Sequence, residues 1–354
     1  MEKRRILIVR LGSMGDILHS LPVLARLRES YPEWEVDWLV ETRWRPLLDG
    51  IPELSRIVEF DTLAWRRQPL SGESWRALRD AASKLRERRY DCAMDLQASL
   101  KSAVACYLSG AGEILGFETP WLKEPACGVF YTRRVAATGT VHMVETNLAM
   151  AAALGATPGP VQFPLPPGDS ASLPADLPKG GLAILNPGAG WRSKLWPTKN
   201  YARVCDAVER ELSLPVVLNC GPGEEELAQQ VIQSCGNARP RIYSGSVPGL
   251  IALLRRSRLM VGPDTGPVHL AAAIGVPTVG LFGPTDPLRN GPYGPCHTAL
   301  RPNGAMTSHR RSDAAEIMEQ IHPDQVLAAI RELLGNRRND TSVSFRGTGN
   351  RVGR

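Results

Sequence analysis

The sequence has no Cys-x-x-Cys pair. Its seven cysteines (92, 106, 127, 205, 220, 235 and 296) are odd in number and scattered, which argues against a disulfide framework or a zinc site and fits a reducing compartment. It also lacks a long apolar run. The longest, 270–282, is broken by Gly275, Pro277 and Gly280 and falls far short of the ~20 residues of a membrane span. Only the apolar stretch 6–9 separates the basic start from Arg10, too little for a signal-peptide core. These absences predict a soluble chain, at most attached to a membrane surface. Charge of one sign is scarce as well: 42 basic against 36 acidic residues, a net +6. Residues 336–354 hold five arginines and one aspartate, so the rest of the chain is nearly balanced. A nucleic-acid protein is therefore not implied, while a local basic patch for an anionic substrate or membrane surface stays open.

What is present is length and alternation. At 354 residues the chain exceeds one ordinary domain of ~150. With 29 Pro and 33 Gly it is richer in turn formers than usual. Residues 6–9 are a continuous apolar run, the pattern of a strand buried on both faces of a parallel sheet. A glycine-rich turn follows, then helical spacing over 17–27 with Pro22 inside it. Further strands are predicted at 36–40, 56–60 and 91–96, and helices at 74–89 and 100–108. Residues 157–180 are a proline-dense connector. The alternation then restarts, with strands at 182–185, 215–218, 259–261 and 278–282 and helices at 200–210, 224–234, 267–274 and 323–334. The prediction is an α/β chain of two Rossmann-like units facing a cleft. A first domain spans 1–160, a linker 161–180 and a second domain 181–337, with a basic, unstructured tail over 338–354.

Four segments could carry chemistry. Arg10-Leu-Gly-Ser-Met-Gly-Asp16 links the first strand to its helix. It holds Gly-x-x-Gly rather than Gly-x-Gly-x-x-Gly, so a dinucleotide fingerprint is absent and a dehydrogenase is disfavoured. Asp16 is either a helix cap or a general base, ionised at neutral pH, that takes a proton from a sugar hydroxyl. In Asn186–Pro197 the donors Arg192, Ser193 and Lys194 either hold phosphate oxygens or form a solvated surface. Asp264, Thr265 and Gly266 stand at a predicted helix N-terminus, which suits phosphate, and His269 lies one turn in on the side of Thr265. Thr285 and Asp286 end another strand, Asp286 being favoured as a turn residue. The acids 224–226 suit a helix start, and one of them can reach a ribose hydroxyl. Four such loops in the second half against one in the first place a donor nucleotide in the second domain, with the acceptor and the base in the first.

The order and spacing of Ser13-Met-Gly-Asp16, Ser193-Lys-Leu-Trp-Pro197 and Asp264-Thr-Gly-Pro-Val-His269 resemble the lipopolysaccharide heptosyltransferases, glycosyltransferase family nine, over residues 6 to about 334. The opening ILIVRLGSMGDILHSLP is most similar to heptosyltransferase I, as are Gln97–Ser102 and Phe130-Tyr131. The resemblance implies a GT-B fold and transfer of L-glycero-D-manno-heptose from ADP-heptose to a Kdo residue of Kdo-lipid A. It further implies inversion at the anomeric carbon, no essential metal or other cofactor, and transient contact with the inner membrane from the cytoplasmic side. By position, Asp16 becomes the general base and Lys194 the cation at the leaving group. Ser193, Glu224, Asp264, Thr265, Gly266 and His269 become donor contacts, with the register of Glu224 left open by the run of three acids. Gly15, Arg66, Arg67, Lys101 and Lys123 become acceptor contacts. Lys123 stands where first-heptose enzymes carry Arg, which changes a bidentate grip to a point charge. The alternatives are a second-heptose or other sugar transferase, a nucleotide-sugar epimerase, and a non-catalytic nucleotide-sugar-binding protein.

Overall fold

The computed structural model describes residues 3–61, 72–294, 296–307 and 315–343. Among them, twelve strands form two all-parallel sheets of six. The first sheet contains β1 (Arg5–Val9), β2 (Glu35–Val40), β3 (Arg56–Glu59), β4 (Cys92–Asp95), β5 (Glu113–Phe117) and β6 (Arg133–Val135), in the order β3-β2-β1-β4-β5-β6. The second contains β7 (Leu182–Leu185), β8 (Val216–Asn219), β9 (Arg241–Tyr243), β10 (Ser257–Pro263), β11 (Thr278–Leu281) and β12 (His297–Leu300), in the order β12-β11-β10-β7-β8-β9. Read outward from β7, this repeats the order of the first sheet. Central strands are apolar at successive positions because helices cover both faces. Ile8 of β1 lies opposite Trp38 on one side and Met94 on the other. Val261 of β10 lies opposite Leu185 and Val279. Strand order reverses between β1 and β4 and between β7 and β10, and ligands bind off the carboxyl ends at such points.

The predicted helix over 17–27 is two helices, α1 (Met14–Leu18) and α2 (Leu21–Ser30). Pro22 falls in the first turn of α2, where its missing N–H is no loss. This break leaves α1 as a short stub packed against the Gly266–Ile274 helix of the second lobe. One continuous apolar cluster takes in Ile8, Leu18 and Leu24 from the first lobe and Ile184, Met260 and Leu270 from the second. The two sheets therefore share a core and are not joined by the connector alone.

The connector is itself docked at both ends. Pro160 accepts a hydrogen bond from Arg26 Nη2 at 2.8 Å. Further on, Asp169 N–H donates to the Pro248 carbonyl at 2.9 Å, and Arg255 Nη2 donates to the Pro166 carbonyl at 3.0 Å. Gly168, at φ +82°, lies so close to the Val247–Arg255 helix that a Cβ there would stand 2.6 Å from Ala252 N. The last helix corrects the sequence reading. It runs from Pro323 to Val343, so residues 338–343, expected in the unstructured tail, are helical. Residues 344–354 lie outside the described residues.

Candidate functional site at the junction of the lobes

β1 delivers Arg10 to the carboxyl edge of the first sheet. Its guanidinium is buried between the ends of β1 and β4. Nη1 donates to the Leu96 carbonyl, and Nη2 meets Asp16 Oδ1 at 2.8 Å. Asp16 Oδ2 accepts from the Ser13 N–H at 3.0 Å and the Ser13 hydroxyl at 3.1 Å. These bonds make Asp16 part of a capping arrangement at the start of α1, the bland reading of the sequence. Yet its side chain stays 43% exposed. Burial pushes the carboxyl up, but Arg10, the Ser13 N–H and His19 together outweigh it, and its pKa lies below the ordinary carboxylate value. A cap and an ionised, reachable carboxylate are thus one residue.

Across the junction, Lys194 Nζ donates to Asp264 Oδ2 at 2.6 Å and to the Asp264 carbonyl at 3.1 Å. An ammonium has three N–H bonds, so one remains for a ligand. The same nitrogen stands 4.9 Å from the centre of the Trp191 ring, which adds a cation–π contact. Asp264 Oδ1 bonds His269 Nε2 at 2.9 Å. Burial alone would raise the Asp264 carboxyl; His269 and then Lys194 hold it far below the usual range. Both oxygens of this carboxylate are engaged, so it acts here as the anchor of Lys194.

The remaining donor candidates surround that pair. Ser193 is buried with its hydroxyl unpartnered, as expected of a donor that meets its acceptor on a ligand. Thr265 caps the Gly266–Ile274 helix, and its hydroxyl donates to the Pro263 carbonyl at 3.1 Å. The positive end of that helix favours an anion beside Lys194. Among the three consecutive acids, Glu224 is the one facing the loop after β7. Its Oε2 accepts from Gly221 N–H at 2.8 Å, and a Cβ at Gly188 would strike it. Glu225 turns away to Ser244. Asp286 caps a short helix by accepting from Leu288 N–H at 3.0 Å, the turn role favoured from sequence.

Residues 78–318 match the model of glycosyltransferase family 9, the heptosyltransferases, well over half of the chain. The chain belongs to glycosyltransferase family 9. Lipopolysaccharide heptosyltransferase 1 of Pseudomonas aeruginosa is 31% identical over 303 residues, covering 82% of this chain and 81% of that protein. Among solved structures, E. coli heptosyltransferase WaaC with ADP superposes with a TM-score of 0.78 at 26% identity, covering 93% of this chain and 99% of that one. E. coli ADP-heptose lps heptosyltransferase II superposes with a TM-score of 0.74 at 23% identity, covering 94% and 99%. The two facing sheets are therefore a GT-B fold, and the family 9 member described here is a glycosyltransferase.

In this family 9 enzyme the residues expected at the acceptor are less gathered. Lys101 opens the Leu100–Leu108 helix and stands 3.8 Å from Glu41, whose N–H bonds the Leu11 carbonyl beside the glycine-rich turn. Lys101 also borders an apolar cavity of about 380 Å³ walled by Leu39, Phe60, Leu85, Val104 and Leu108. Its lining comes from the first lobe alone. Lys123 is exposed, with its N–H on the Ala98 carbonyl at 3.0 Å. Arg66 and Arg67 lie outside the described residues. Gly15, expected at the acceptor, sits at the seam between lobes: a Cβ there would meet His269 Cδ2 at 2.8 Å.

Sequence reasoning passed over Arg10, His19 and His142. His269 does not point at an open phosphate loop. It is buried, tied to Asp264 and packed edge-to-face on His19, with ring centres 4.7 Å apart. His19 in turn stands 5.2 Å from His142. Three single histidines far apart in the chain meet at the junction, and no local spacing announces that. Among the described residues no group of three or more His, Cys, Asp or Glu is placed to hold a metal ion, and no helix is long and apolar enough to cross a membrane.

Proposed function

We propose that this glycosyltransferase moves L-glycero-D-manno-heptose from ADP-heptose to a hydroxyl of a Kdo residue in the lipopolysaccharide inner core, with inversion at the anomeric carbon. The observation that carries the reading is one half-exposed, ionised carboxylate on the first lobe, set against a buried Lys194–Asp264–His269 chain at a helix head on the second. The names of its relatives, lipopolysaccharide heptosyltransferases, and the solved relative with ADP support the choice of sugar and nucleotide.

In this mechanism the helix head at Gly266, the Ser193 hydroxyl and the third Lys194 N–H receive the diphosphate. Charge grows on the β-phosphate as the glycosidic bond breaks, and fixed donors there lower the barrier by a few kcal/mol, about the value of one oxyanion donor. Asp16 accepts the proton of the attacking Kdo hydroxyl. Nucleophile and leaving group are served from opposite lobes, the arrangement a single displacement needs, and such a displacement inverts the carbon. Lys194 and the helix end supply the positive charge, so the reading calls for no metal. A lipid-linked acceptor implies work at the cytoplasmic face of the inner membrane, through transient contact.

The test is incubation with ADP-heptose and defined Kdo-lipid A, with mass spectrometry of the product. The expected result is an acceptor heavier by one heptose, formed equally with and without a chelator. Product formed only from another nucleotide sugar, or only on an acceptor that already carries a heptose, would overturn the assignment.

A further inference from the structure

The junction holds a feature that the transfer reaction does not use. His19, the C-cap of α1, is 5% exposed, and its Nε2 is buried with no partner. It lies between two other imidazoles, His142 of its own lobe at 5.2 Å and His269 of the other at 4.7 Å, both edge-to-face. His142 is fixed as a neutral ring. Its Nδ1 accepts from Val144 N–H at 3.1 Å, so the proton is on Nε2, 3.0 Å from the Gly291 carbonyl of the second lobe. His269 continues the line through Asp264 to Lys194. Asp16 and His19 are one turn apart on α1, so this line connects the carboxylate of one lobe to the ammonium of the other.

The charged and titratable groups facing the cluster come from every element around it. Asp16 of α1 and Asp264 after β10 face His19, and Lys194 stands behind Asp264. Glu145 of the Met143–Ala153 helix and His297 of β12 face His142, and Tyr293 joins Glu145 to its ring. Burial, then His269 and His142, push the His19 pKa well down against the pull of the two aspartates. Burial likewise lowers His142, although its bond to the Gly291 carbonyl opposes this. The closed lobes therefore favour the neutral form of His19 and of His142. Separated lobes return these two rings to water, where they take up protons near the ordinary value of 6.5.

We propose that His19 is a positioning residue: with His142 it keys α1 against the His269–Asp264–Lys194 chain, so that lobe closure and alignment of Lys194 occur together, and proton uptake by His19 and His142 separates the lobes. The sign follows from linkage. The open form binds more protons, so closure is complete above about pH 6.5 and weakens as pH falls below it. The consequence for turnover rests on the transferase reading; the geometry and its test do not.

The experiment is small-angle X-ray scattering of the full chain from pH 8 to pH 5, on wild type and on His19→Phe. Phenylalanine keeps an edge-to-face ring but takes no proton. Wild type should expand below about pH 6.5, and the His19→Phe midpoint should move down by about one pH unit. His19→Gln, polar and neutral, gives the same comparison should the phenylalanine variant fail to fold by circular dichroism. In parallel, His19→Ala should lower kcat by about tenfold with little change in donor KM, because closure follows binding. Wild type that stays compact to pH 5, or variants that expand at the wild-type midpoint, overturn the proposal. A His19-dependent expansion in a protein that transfers no heptose would count against the assigned substrate and leave the positioning role standing.

Discussion

Each lobe pairs one acid with one base at its switch point, and the two pairs are not alike. On the first lobe Arg10 is buried while Asp16 is 43% exposed, at 2.8 Å. On the second both partners are largely buried, Lys194 at 14% and Asp264 at 9%, at 2.6 Å. In the first pair the cation is the anchor and the carboxylate is free to meet a substrate. In the second the carboxylate is the anchor, saturated by His269 and Lys194, and the ammonium keeps a spare donor. The same contact serves opposite ends because spare bonding capacity falls on opposite partners: Asp16 is half-exposed, and Lys194, though largely buried, keeps one N–H. The member left able to meet a substrate is the one to assign to chemistry.

The largest expected effect lies at Asp16. Asp16→Ala should lower kcat by about 10²–10⁴ and leave ADP affinity nearly unchanged, while thermal stability falls because Arg10 stays buried without its counter-charge. Steady-state kinetics with calorimetric ADP titration reads both quantities. A variant with normal turnover would strip Asp16 of the base role and leave it a cap.

Lys194→Ala should behave differently. It leaves Asp264 buried without its cation, which costs about 3–5 kcal/mol when a buried pair is broken. Melting temperature and ADP affinity should fall together, whereas Asp16→Ala leaves ADP affinity in place. A Lys194→Ala protein that melts like wild type and binds ADP normally would remove the second pair from the site.

The contrast between pairs also marks where sequence reasoning reaches. Interior strands such as β1, β7 and β11 are legible because burial on both faces demands consecutive apolar residues. The edge strands β6 and β9, Arg133–Val135 and Arg241–Tyr243, are three residues long and pair on one side, so nothing in their composition sets them apart. The Met143–Ala153 helix, MVETNLAMAAA, has no clean polar face, and the Val247–Arg255 helix begins Val-Pro-Gly, which reads as a turn. Within the site, residues in strand-to-helix loops are legible: Asp16, Ser193, Lys194 and Asp264. Which of them is exposed is not, since that depends on Arg10 reaching Leu96 and on His269 reaching Asp264. The histidines at 19 and 142 carry no local signal, because their meaning arises only where two distant segments touch a third.

Acid should separate the two carboxylates at smaller amplitude. Both carboxylates are held below the ordinary 3.8. A group with a depressed folded pKa contributes fully above its unfolded pKa, and the contribution disappears as pH falls through the folded one. Asp264, buried and bonded by both His269 and Lys194, should thus account for a share of acid unfolding below about pH 4. Asp264→Asn should melt lower than wild type at pH 7 and lose less on acidification to pH 2. Parallel acid profiles for the two proteins would contradict a buried, charged Asp264.

The smallest expected effect lies at the seam that brings the two pairs together. Gly15 faces His269, and Gly266 faces Met14. A methyl group at residue 15 meets a ring held on both sides, by Asp264 and by His19, which cannot step aside without disturbing the Lys194 anchor. A methyl group at residue 266 meets Met14 at Sδ, Cγ and Cβ; the thioether can bend away, but Cβ is fixed to the backbone of α1. Overpacking of a fitted contact costs about 1–3 kcal/mol, so Gly266→Ala, which crowds three atoms of Met14, should sit toward the upper part of that range and Gly15→Ala, which brings only Cδ2 of the ring that near, toward the lower. Because each lobe keeps its own sheet, the cost falls on closure. Gly266→Ala should therefore reduce kcat more than Gly15→Ala while both melt near wild type. The reverse order would mean that Met14, not the ring, is the part of the seam that yields.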